Sequence, residues 1–138
     1  MNFRLAVLLG LGAVTNAHFV LQIPTSIGYD DTLESTGPCG SFDPSDRSKG
    51  VTDWPIGGYP VSVLTTHTTV TWDFKASLLS DVGTWVPLTP VLDQTGVGFF
   101  CEPSIPGNPA WVGQQAVLQV TQHGPDGVLY QVRAPHPR

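Results

Sequence analysis

The sequence predicts an all-β domain, a sandwich or barrel of short strands. Strong β-formers, Val and Thr above all, recur in short runs. The 15 Gly and 13 Pro residues interrupt the chain often, which favours many turns over long elements. No segment carries the 3.6-residue period of an amphipathic helix. The 138 residues have room for one domain, and a hydrophobic share of 41% argues for a packed core over disorder.

Taken in order, Met1 to Ala17 has the three parts of a secretory signal peptide: Arg4, an apolar run from Leu5 to Val14, and the small residues Thr15 and Ala17 before the cut. The run is short for a bilayer span. Cleavage after Ala17 leaves a domain over residues 18–138, roughly 120 residues and enough for a real core. His18 to Ile23 reads as a first strand ended by Pro24. Thr25 to Lys49 reads as a long irregular loop, and loops of that length tend to be functional. Trp54 to Gly58 reads as a turn with one aromatic ring to bury. Val61–Thr65 and Thr68–Phe74 read as strands, with His67 between them. Thr84–Leu88 and Gly98–Glu102 are further strands around a turn at Gln94–Gly96, and Pro103–Gly113 is a loop. Gln115–Gln122 and Val128–Val132 form a hairpin across the Gly124-Pro125-Asp126-Gly127 turn. Residues 133–138 do not read as a strand.

The net charge of −5 argues against a nucleic-acid partner. Zinc signatures and serine-hydrolase elbows are absent. Cys39 and Cys101, the two cysteines, are candidates for a disulfide in an oxidising compartment, closing a loop of about sixty residues. Of four histidines, His18 is singled out by its place. At a free N-terminus it offers its α-amine and its Nδ1 to one metal ion. With a second imidazole, three nitrogens in a plane suit Cu(II). The amine must be deprotonated to bind, so affinity should fall as pH drops. His123 is expected in a surface turn and His136 in a disordered end.

The order and spacing of several short pieces resemble one family. They are His18-Phe19-Val20-Leu21 with Pro24, Gly28-Tyr29-Asp30-Asp31, Gly37-Pro38-Cys39-Gly40, Trp54-Pro55-Ile56-Gly57-Gly58 and Gly127-Val128-Leu129-Tyr130-Gln131. Together they look like the fungal copper acquisition factors, which are similar to lytic polysaccharide monooxygenases. The resemblance implies an immunoglobulin- or fibronectin-like antiparallel β-sandwich and one copper ion held by His18 and His67. It implies a monomeric, secreted protein of copper uptake or handling, usually lipid-anchored to the plasma membrane or wall. A membrane copper transporter or cell-wall polysaccharide is the implied partner. The rival readings are an oxidative copper enzyme of the monooxygenase type and a metal-free structural module.

One end departs from the family pattern. There, Leu-Tyr-Gln is followed by Cys-Ala-Asp, and the Asp is a further copper ligand. Here Gln131 is followed by Val132 and Arg133, and Ala134 stands at the expected Asp position. The polar spacer and hydrophobic tail of a lipid anchor are missing too. The expectation is a truncated product, with translation entering an unspliced intron at Val132; a spliced message that still encodes Val132–Arg138 would rule this out. An exposed sheet edge and a weakened site should follow. If the lost cysteine is a natural partner, the Cys39–Cys101 bridge is also in question. Asp30, Asp53 and Asp126 are the stand-ins considered for the lost carboxylate.

Overall fold

The computed structural model describes residues 18–138, so the expected signal segment lies outside the described residues. The described residues form ten strands, together with two single 3₁₀ turns at Leu79–Asp81 and Pro109–Trp111. Strands β1 (Phe19–Ile23), β3 (Tyr59–Thr65) and β7 (Gly98–Ile105) form an antiparallel sheet in the order β1-β3-β7. The second sheet runs β5 (Val86–Pro87), β4 (Thr69–Leu78), β8 (Ala116–Gly124), β9 (Gly127–Arg133), with β6 (Leu92–Thr95) also paired to β4. The two sheets face each other as a β-sandwich, as the sequence predicts.

Alternation along the strands builds the core. Phe19, Leu21, Val61 and Val63 of the first sheet meet Val70, Trp72, Phe74, Leu118 and Val120 of the second. Phe19 and Trp72 pack edge to face, ring centroids 5.1 Å apart, and so join the sheets close to His18. Trp54 is buried as expected, its Nε1 donating to Ile105 O at 3.0 Å.

Strand β8 is buried on both faces. Leu118 and Val120 point into the sandwich, whereas Val117 packs with Ile27, Cys39 and Val132 in a second cluster. The long irregular segment before β2 (Thr52–Trp54) covers that outer face. Ile27 N donates to Val132 O at 2.8 Å, Tyr130 N to Glu34 O at 2.8 Å and Gln119 Nε2 to Pro38 O at 2.8 Å. The first two bonds occupy main-chain groups of β9, the strand at one end of its sheet, and the third ties the loop to β8.

Five expectations need correction. The Cys39–Cys101 bridge is not formed, and both thiols are free. Cys39 is buried in the outer cluster of the second sheet, whereas Cys101 is exposed on β7 of the first. Residues 133–138 are not irregular: β9 continues to Arg133, and β10 (Pro135–Pro137) pairs in parallel with β2. Arg138 pairs with Asp53, and its main-chain N donates to Trp54 O at 2.9 Å. His136 therefore sits on a strand opposite Asp53. Gln94 belongs to β6 rather than to a turn, because its buried amide accepts from Trp72 Nε1 at 2.9 Å. Pro103 lies inside β7, an edge strand on which a missing N–H is tolerated.

Candidate metal centre

The register of β1 on β3 brings the two sequence-predicted histidines to one end of the sandwich. Phe19 pairs with Thr65, which sets His18 opposite Thr66, the residue before His67. Thr66 holds the start of the domain closely. The His18 main-chain nitrogen donates to Thr66 Oγ1 at 3.1 Å, and Thr66 N donates back to His18 O at 3.1 Å. His67 lies in the link between β3 and β4 and is buried. Its main-chain N donates to Thr65 Oγ1 at 3.1 Å, and that hydroxyl donates to Gln122 Oε1 of β8. Gly124 gives the His67 ring its room: a Cβ there would stand 3.0 Å from ring atoms Cε1 and Nδ1.

Carboxylates surround both rings. His67 Nε2 lies 3.4 Å from Asp126 Oδ1, at the tip of the β8–β9 turn. A cleft of about 360 Å³ is lined by His18, Asp31, Thr32, Ser35, Asp126 and Leu129, among others. His18 Nδ1 lies 3.3 Å from Oε2 of Glu34, a residue only 2% exposed. Burial pushes the Glu34 carboxyl above its ordinary pKa, against the pull of the Gln131 hydrogen bond and of His18.

Sequence reasoning missed Glu34. The signal was its place just before Gly37-Pro38-Cys39-Gly40, since that motif shapes the loop carrying it. Gly40 has φ of +62°, and a Cβ on it would lie 2.6 Å from the Tyr130 carbonyl oxygen. Only glycine lets the loop approach β9 this closely. Gln131 completes the join: Nε2 donates to Glu34 Oε1 at 2.7 Å and to Phe19 O at 2.6 Å, while Oε1 accepts from Leu21 N at 3.0 Å. The Pro-Cys-Gly and Leu-Tyr-Gln pieces thus fasten Glu34 beside His18.

The stand-ins for a lost carboxylate separate clearly. Asp126 lines the cleft with His18. Asp30 spends Oδ1 on Thr32 N and Thr32 Oγ1, which holds its pKa below the ordinary value. Asp53 is engaged by Arg138. Ala134 is fully buried at the junction of β9 and β10, and its carbonyl accepts from Thr52 N at 2.8 Å. It is not among the residues lining the His18 cleft.

Among the described residues no three His, Cys, Asp or Glu side chains converge as a ready metal cluster. The His18 main-chain nitrogen is a further donor outside that count. The donor set here is imidazole plus carboxylate, compatible with a first-row divalent ion. The fit is further supported by His18 Nδ1 and Glu34 Oε2, two buried atoms 3.3 Å apart that have no partner but each other.

The comparisons with known proteins agree with this chemistry. The chain is 33% identical over 139 residues to an uncharacterized protein of Aspergillus fumigatus, covering 94% of this chain and 57% of that one. It is 29% identical over 143 residues to a lytic polysaccharide monooxygenase-like protein of Yarrowia lipolytica, covering 94% and 52%. The chain therefore spans about half the length of the curated relatives it matches. The family model for the BIM1-like copper acquisition factor matches residues 16–132, from just before His18 through the Leu-Tyr-Gln strand. The chain belongs to the BIM1-like copper acquisition factor family.

Proposed function

We propose that this chain is an extracellular or cell-surface protein that binds one copper ion for uptake or handling, through the His18 amine, His18 Nδ1 and His67. The carrying observation is the β1–β3 register, which sets His18 opposite Thr66, the neighbour of His67, at the end of the sandwich where His18 and Asp126 share a cleft. Copper is the cargo in this reading. Nitrogen donors favour Cu(II), and Asp31, Asp126 and Glu34 offset its charge. Thr66 positions the His18 nitrogen, and Thr65 and Gln122 position His67.

An oxidative, polysaccharide-cleaving role has less support. It calls for an aromatic surface beside the metal. Trp54 and Trp72 are core residues, and Trp85 and Trp111 line other depressions, so no tryptophan borders the His18 cleft.

The test compares Cu(II) titrations of protein beginning at His18 and of protein carrying one extra residue before it. The first form should bind at least about tenfold more tightly, since an added residue turns the amine into an amide. Equal, weak binding by both forms would sink the copper reading. His67→Ala in the first form should also weaken binding.

A further inference from the structure

We propose that Glu34 supplies the anionic oxygen ligand of the His18 copper site. The proposal rests on the copper reading above and assigns a residue to the acidic position that Ala134 cannot fill.

Burial carries the first part of the argument. Glu34 is 2% exposed, yet only Oε1 has a hydrogen-bond donor, Gln131 Nε2 at 2.7 Å. Oε2 has only the His18 ring beside it, with Nδ1 at 3.3 Å, and that Nδ1 has no other partner. A carboxylate removed from water is costly unless a cation or donors compensate each oxygen. One cation bound between them would satisfy both atoms.

Spacing carries the second part. Two donors about 2.0–2.2 Å from one first-row ion, at angles between square and tetrahedral, lie about 2.8–3.6 Å apart. The observed separation of 3.3 Å falls inside that range. Rigidity carries the third. Oε1 is fixed by Gln131, which is itself bonded to Phe19 O and Leu21 N, the strand that begins beside His18. Oε2 is thus held in place before any ion arrives. Asp126 has a similar spacing to His67, 3.4 Å, but its side chain is 54% exposed on a turn. It serves as the control.

The experiment uses protein beginning at His18, with Cu(II) as the probe, competed against a chelator and followed by electron paramagnetic resonance. Glu34→Gln should weaken binding by at least about tenfold and shift the copper g and hyperfine values, while Asp126→Asn should change both less. Unchanged affinity and spectrum in Glu34→Gln would overturn the proposal. Weaker binding with an unchanged spectrum would also overturn it, since Glu34 would then only position His18. Should Glu34→Gln fail to fold, wild-type protein decides the matter. Glu34 and Glu102 are the only glutamates in the chain. With ¹³C-labelled glutamate, one carboxylate infrared band should move when Cu(II) is added, and it should still move in Glu102→Gln. A band that stays in place overturns the proposal. If wild type itself binds no better than the form with an extra N-terminal residue, the copper reading fails and takes this proposal with it. Tight wild-type binding with an indifferent Glu34→Gln removes this proposal alone.

Discussion

Gln131 is the residue that ties the two sheets to the candidate site. Strand β1 lies at the edge of its sheet, and the Gln131 side chain serves that edge as a further strand would, giving one acceptor to Leu21 N and one donor to Phe19 O. Its other hydrogen holds Glu34. Gln131→Leu should keep the volume and strand propensity but orphan a buried N–H, a carbonyl and a carboxylate oxygen. The expected cost is about 3 kcal/mol or more, read as a lower denaturation midpoint at unchanged m-value. The cysteines give a second prediction at this scale. Burial, with a smaller push from Asp43, moves the Cys39 thiol up to about 11, whereas Cys101 is exposed. Near neutral pH a thiol reagent should therefore label Cys101 rapidly and reach Cys39 only on unfolding. A native protein with no reactive thiol would indicate a bridge and contradict this placement. His18 and His67 could be picked out as candidates from the sequence because an expected cleavage site and a family pattern mark them. Glu34 was not, because its burial depends on how an irregular loop folds over β9, and loops carry no periodicity from which to read a buried face.

At the scale of elements, the strands that alternate were legible and the irregular joins were not. β1, β3, β4, β8 and β9 follow from runs of β-formers bounded by Pro and Gly. β6 was read as a turn because Gln94-Thr95-Gly96 has turn composition, yet the Trp72 indole needs an acceptor, and burial of Gln94 supplies it. β10 was missed because Pro135-His136-Pro137 has the wrong composition for a strand interior. A short parallel pairing at β2 tolerates it. The β9–β10 junction carries a prediction of its own. Ala134 is fully buried, and it does not line the His18 cleft. Ala134→Asp should therefore place a carboxylate in the interior without a partner. It should cost about 3 kcal/mol or more and leave Cu(II) affinity no higher than wild type. A gain in copper affinity with stability retained would show that residue 134 reaches the site.

For the whole molecule, the candidate site draws on separate parts of the chain: His18 before β1, Glu34 in the long loop, His67 between β3 and β4, and Asp126 at the β8–β9 turn. An ion held by the first three would join one sheet to the loop that covers the outer face of the other. That connectivity would make copper a folding ligand, since the unfolded chain scatters these groups. Protein beginning at His18 should gain about 2.7 kcal/mol of stability at a free Cu(II) concentration one hundred times Kd. The gain should appear as a higher thermal midpoint that a strong chelator reverses. Amide-exchange protection should rise at Phe19–Leu21, at Glu34 and around Thr66 together, because one ion restrains all three. Protein with an extra residue before His18 should show little of this, having lost the amine. A chelator-reversible rise of equal size in both forms would mean that copper stabilises the sandwich from somewhere other than the end where β1 begins.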